Sequence, residues 1–169
     1  MIRDPGSFEG WLRGERPLKV MVGYDFSASS EAAIRWVASL GQIAPCDITI
    51  AYVASPANER SRLGIAPPLS PLYYPSALRK FLEEEIRQKC NALLQNTTEI
   101  CVKADWGRPD SQIIEMAADS RTDLMVVGTS QRRGLARLGS VARAVMHYSQ
   151  KNVACVPEGW VASASEPPL

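Results

Sequence analysis

The sequence has a single histidine, His147, and only four cysteines, Cys46, Cys90, Cys101 and Cys155, set far apart with no C-x-x-C. A structural zinc centre needs several such ligands at short spacings, and a Ser-His-Asp triad needs a histidine presented to a serine. His147 falls off the apolar stripe of a helical pattern, which predicts a surface residue. Cys101 and Cys155 sit inside apolar runs, which predicts reduced, mostly buried thiols in a cytoplasmic protein. No apolar stretch approaches the roughly 20 residues of a membrane span. The first nineteen residues, MIRDPGSFEGWLRGERPLK, are polar and broken by glycine and proline, unlike a secretory signal. With 19 basic and 18 acidic residues, no net field draws the whole molecule to nucleic acid or to an acidic membrane. Neither G-x-G-x-x-G nor G-x-S-x-G occurs anywhere.

What the chain does have is alternation. Five short β-type runs, Lys19–Tyr24, Ile48–Val53, Glu99–Ala104, Leu124–Val127 and Val153–Val156, are separated by helical patterns. Ala33, Trp36, Val37 and Leu40 recur at helical spacing, with Ser27 or Ser29 available as N-cap. Leu82, Ile86, Cys90 and Leu93 mark the inner face of a second helix over Ser76 to about Gln95. Glu83, Glu84, Arg87 and Lys89 form its solvated side. Pro109 fits the first position of a third helix, where no N–H is needed, with Ile113, Ile114 and Ala117 inward. A fourth helix over Ser140–Ser149 carries Val141, Ala144, Val145 and Tyr148 on one stripe. The wholly apolar run Leu124–Val127 suits a strand covered on both faces. Such β-α alternation implies right-handed crossovers and a parallel sheet between helical layers, an α/β fold. The stretch Ala54–Pro75 holds five of the twelve prolines and reads as a surface loop, with Tyr73 and Tyr74 placed to lie over a cleft. Phe8, Trp11 and Leu12 have helical spacing in an N-terminal arm. The tail beyond Gly159 is expected to be disordered, with Trp160 its one sticky residue.

Ligands of parallel sheets bind outside the carboxyl ends of strands, where the strand order reverses. Two loops there carry candidate chemistry. After strand one, Asp25 can accept from an adenine amino group or a ribose hydroxyl, or can cap the next helix together with Ser27. After strand four, Gly128 lets backbone approach a ligand closely. Gly139 and Ser140 open a helix whose free N–H groups at Ser140, Val141 and Ala142 suit an anion, and Ser140 is a candidate N-cap. Arg132, Arg133 and Arg137 lie between, where phosphates would meet them. A Gly-rich turn with solvated arginines would show the same spacing. The segment G-L-A-R-L-G-S echoes a Walker A loop but has no lysine, which removes a P-loop reading.

The run Y-D-F-S-x-x-S-x-x-A, then W-G-R-P, then T-D-L-M-V-V-G-T-S with G-L-x-R-L-G-S-V-A-R-A-V, resembles the universal stress proteins over roughly Leu18 to Pro157. The resemblance implies a three-layer α/β/α sandwich with a five-stranded parallel sheet in order 3-2-1-4-5, a Rossmann-like adenine-nucleotide-binding fold. It divides the chain into an arm (1–17), the family domain (18–157) and a tail (158–169). Many family members bind ATP through a motif of glycine, two residues, glycine, nine residues, then glycine with serine or threonine. Gly128 matches the first glycine, and Gly139 with Ser140 the final pair. Gln131 stands at the middle glycine, and seven residues follow it instead of nine. By similarity, Asp25 and the Val53 backbone would hold adenosine. Gly128, Gly139, Ser140, Val141 and Ala142 would hold the phosphates, and Thr129 and Arg132 complete the nucleotide-binding set.

Three functions follow. The first is a regulatory ATP binder in a stress response, with Mg²⁺ accompanying the nucleotide, working as a homodimer joined through strand five. The second is a dimeric interaction module with a degenerate cleft. The third, a slow ATP hydrolase, is the weakest, because no general base, metal-holding carboxylate cluster or activated nucleophile stands out.

Overall fold

The computed structural model describes residues 8–55, 59, 62, 64, 76–95, 99–130 and 138–162. In chain order these form α1 (Phe8–Leu12), β1 (Leu18–Gly23), α2 (Ala28–Ile43), β2 (Cys46–Ala54), α3 (Ser76–Leu93), β3 (Ile100–Trp106), α4 (Pro109–Asp119), β4 (Leu124–Thr129), α5 (Ser140–Tyr148) and β5 (Asn152–Pro157). The strands make one sheet in the order β3-β2-β1-β4-β5, with every neighbouring pair parallel. This is the expected strand order.

Side-chain alternation along the strands sorts the core into two layers. Val20, Val22 and Tyr24 point one way and join Ala33, Ile34 and Val37 of α2 with Leu82, Ile86 and Cys90 of α3. Met21, Ala51 and Val53 point the other way, onto Ile113, Met116 and Ala117 of α4 and Ala142 and Val145 of α5. Two helices therefore cover each face. The interior strand β4 is buried on both, with Met125, Val126 and Val127 almost inaccessible to solvent, as a strand flanked by β1 and β5 and sandwiched between layers must be.

Several helix boundaries have visible causes. The Ser27 hydroxyl accepts from the Ser30 N–H and caps α2. Pro109 occupies the first turn of α4. The cap of α5 differs from expectation: Gly139, not Ser140, is the N-cap, and no side chain bonds to the free amides. The stripe of α5 differs too. Tyr148 is 75% exposed, while Ala142, one position off the expected stripe, is buried. The helix is short and ends beside the edge strand β5, so its last turn has little sheet beneath it.

The thiols divide by strand position. Cys90 is buried under α3, whereas Cys101 and Cys155 are exposed, against the expectation of burial. Both lie on edge strands. In β3 the residues alternate, with Ile100, Val102, Ala104 and Trp106 buried and Cys101 on the opposite, open face. An apolar run therefore does not guarantee cover at a sheet edge.

The described parts of the arm and tail pack on their own chain. Trp11 and Trp160 lie against the α2–α3 core layer, so Trp160 is not part of a free tail. Arg16 donates to both carboxylate oxygens of Asp123 at 2.6 and 2.8 Å, and the Lys19 N–H adds a third bond at 2.9 Å. This ties the arm to the start of β4. Burial opposes the Asp123 charge, but the Arg16 and Lys19 bonds outweigh it and hold its pKa below the usual carboxylate value.

Candidate functional site

The sheet order reverses between β1 and β4: the chain leaves β1 toward β2 and β3, then returns to β4 on the other side. At the carboxyl ends of these two strands lies an open cavity of about 210 Å³. Its floor is apolar, formed by Val127, Ile113, Ala51 and Val53. Gly23 leaves room there for Ile113, since a Cβ at residue 23 would stand 2.7 Å from the Ile113 Cδ1.

Three helix N-termini converge on this cavity: Ser29 and Ser30 in the first turn of α2, Pro109 at the start of α4, and Ser140, Val141 and Ala142 at the start of α5. Each brings the positive end of a helix dipole, and α5 also brings amides that no side chain caps, so the mouth favours an anion. Asp25 is the one charged residue in the lining among the described residues. A carboxylate suits hydroxyl or amino donors and repels phosphate. The cavity is thus polarised, with an acceptor near β1 and donors near α5.

The Asp25–Ser30 turn is built by its own hydrogen bonds. Asp25 Oδ1 accepts from the Ser27 N–H at 3.0 Å and from the Ser27 hydroxyl. The Ser30 hydroxyl donates to the Ser27 carbonyl at 2.9 Å. Phe26, between them, has φ +64°, a left-handed conformation that costs a bulky residue roughly 1–2 kcal/mol. Its ring is turned away from the cavity into the α2–α3 layer, 5.0 Å from the Tyr24 ring and 5.3 Å from the Tyr52 ring.

Residues 18–157 match the profile of the universal stress protein family. The chain belongs to this family. Universal stress protein Sll1388 of Synechocystis sp. is 28% identical over 150 residues, covering 82% of this chain and 96% of that relative. Among solved structures, a universal stress protein in complex with cAMP aligns with a TM-score of 0.59 at 22% identity, over 84% of this chain and 98% of the other. A universal stress protein family member from Arabidopsis thaliana with AMP bound aligns at 0.53 and 22% identity, over 83% and 92%.

Within this universal stress protein fold, Asp25, Val53, Gly128, Ser140, Val141 and Ala142 all line the one cavity. Thr129 does not. It is buried, and its hydroxyl donates to the Val156 carbonyl of β5. Gly139 caps α5 beside the cavity, and a Cβ there would meet nothing within 4 Å. Arg132, Arg133 and Arg137, with Gln131, lie outside the described residues, as do Tyr73 and Tyr74. Gly128 has a structural reason of its own. A Cβ there would stand 2.7 Å from the Ser30 nitrogen and closer still to the Ser29 carbonyl, so the glycine admits the first turn of α2. The lining residues that sequence reasoning missed are Gly23, Tyr24, Ser29, Ser30, Ala51, Pro109, Ile113 and Val127. The W-G-R-P run was the available signal for Pro109.

Proposed function

We propose that this chain is a regulatory adenine-nucleotide binder of the stress response, taking ATP with its Mg²⁺ in the cavity between β1 and β4. The observation that carries the reading is the polarity of that cavity: Asp25 after β1 and the uncapped N-terminus of α5 after β4, over an apolar floor. The adenine ring would lie on the floor near the Val53 backbone, the ribose beside Asp25, and the phosphates toward Gly128 and Gly139–Ala142. Thr129 would act from behind, fixing β4 to β5, and Arg132 would meet the phosphates from the loop. The open space at Gly139 fits a ligand close to the backbone. Relatives described with cAMP, with AMP and, in Archaeoglobus fulgidus, with dAMP support an adenine ligand.

Residues 18–157 would form the binding domain, flanked by the arm and the tail. Two such chains would pair through β5, an open sheet edge that exposes Asn152 and Cys155, in the cytoplasm. No helix among the described residues is long and apolar enough to cross a membrane. A second reading, a dimeric interaction module that binds no ATP, draws on Gln131 and the loop two residues short.

Thermal unfolding with added nucleotide separates the two. A ligand at one hundred times its Kd adds about 2.7 kcal/mol of stability. A rise in Tm with ATP or AMP but not GTP favours the first reading. No rise at millimolar ATP favours the second.

A further inference from the structure

Beside the cavity, on the opposite face of the sheet, lies a cluster that the binding site does not use. The Phe26 ring is covered by two cations. The Arg62 guanidinium carbon stands 4.3 Å from its centroid, and the Lys89 ammonium 4.9 Å. Arg62 is itself clamped, with Glu59 at 3.1 Å and Glu85 of α3 at 2.7 Å. The Tyr52 hydroxyl donates to Glu59, which is 3% exposed. The network runs from α3 through Arg62 to a ring whose neighbours in sequence are Asp25 and Ser27, the two residues that shape the cavity wall.

The left-handed backbone at Phe26 is disfavoured by itself, so something must hold it. Its flanking hydrogen bonds close the turn but do not prefer a bulky residue at the strained position. Rings of Tyr24 and Tyr52 and the cation–π stack with Arg62 do. We propose that Phe26 and Arg62 are a positioning pair, which holds the Asp25–Ser30 turn in its cavity-facing form. The hold is independent of any ligand. Its effect on affinity rests on the nucleotide reading given above.

Glycine at residue 26 accepts φ +64° without strain and removes only the ring. The test compares Phe26→Gly and Arg62→Met with the conservative Phe26→Tyr and Arg62→Lys. Amide hydrogen exchange is followed at Ser27, Ser30 and Glu31 in the ligand-free protein, and ATP and AMP affinities by calorimetry. Phe26→Gly and Arg62→Met should speed exchange at these three amides about tenfold and weaken nucleotide binding by a similar factor. Phe26→Tyr and Arg62→Lys should restore both. Unchanged exchange at the three amides in Arg62→Met overturns the proposal, whether or not nucleotide binds. Equal loss in Arg62→Lys and Arg62→Met overturns it too, because the cation would then be irrelevant. If the parent binds neither ATP nor AMP, the nucleotide reading falls, and the exchange comparison alone decides the positioning pair.

Discussion

Gly128 of β4 lies so close to Ser29 of α2 that a Cβ on the glycine would overlap the serine carbonyl. The contact sets the wall of the cavity. It brings the first turn of α2 over the end of β4, where the sheet order reverses. The two glycines of the candidate phosphate region therefore have different reasons to be glycine.

Gly128→Ala should cost about 3 kcal/mol, because the added methyl meets backbone and the helix must shift. Gly139→Ala meets nothing, and its φ of −58° suits any residue. That variant should stay within about 1 kcal/mol of the parent, the scale of an N-cap change. Its nucleotide affinity should nonetheless fall. Urea unfolding of both variants checks the first claim. A Gly128→Ala protein as stable as the parent would mean that α2 moves freely.

The Arg16–Asp123 pair makes stability depend on acid pH. The folded pKa of Asp123 is depressed, with Arg16 and the Lys19 amide overcoming burial. An unfolded aspartate titrates near ~3.9. The stabilising contribution is therefore complete above about pH 5 and is lost as pH falls through 4 toward the lower folded value. Asp123→Asn should cost about 3 kcal/mol near neutral pH, since it removes the buried carboxylate that both terminal nitrogens of Arg16 bond. The gap between parent and variant should close on acidification. A gap that is constant from pH 7 to pH 3 would contradict the assignment.

Tyr24 gives the opposite case. Its hydroxyl is buried with no hydrogen-bond partner among the described residues, and burial, with the charges nearby, pushes its pKa up. An unpaired buried hydroxyl destabilises. Tyr24→Phe keeps the ring against Phe26 and should leave stability unchanged or raise it by up to about 1 kcal/mol. A loss larger than that would reveal a partner for the hydroxyl.

Much of this was legible from the residues. The apolar run Leu124–Val127 read as a doubly covered strand because a strand buried on both faces cannot alternate. Pro109 announced the start of α4 through local chemistry alone, and for α2 the choice lay between Ser27 and Ser29, of which Ser27 is the cap. Edge effects were not legible. Cys101 and Cys155 sit in apolar runs, yet exposure depends on which strands end the sheet, a long-range property. The same holds for Tyr148, whose stripe is correct in period but runs past the covered part of α5. In the site, Asp25 and the Gly139–Ala142 turn could be found from motif spacing. Ser29 against Gly128 could not, because the contact joins residues about a hundred positions apart. The hold of Arg62 on Phe26 was hidden for the same reason. Nothing in the sequence near Arg62 distinguishes it from a solvated arginine.

Under the proposed reading, Gln131 and the shortened loop would bear on the phosphates. Gln131→Gly by itself should change ATP affinity less than about threefold, a difference under 1 kcal/mol, because the loop remains two residues short. Glycine together with a two-residue insertion should tighten ATP binding and leave AMP binding as it was. Calorimetry of the two variants with both nucleotides checks this. A gain for AMP equal to that for ATP would place the effect away from the outer phosphates.

The most direct measurement is calorimetric titration of nucleotide-stripped protein with ATP and Mg²⁺, with AMP and GTP as controls. Micromolar, adenine-selective binding that is weakened by Asp25→Ala is the predicted result. The absence of heat at millimolar ATP and AMP would contradict the cavity's assignment and leave the β5 edge, the arm and the Pro-rich loop as the working surfaces.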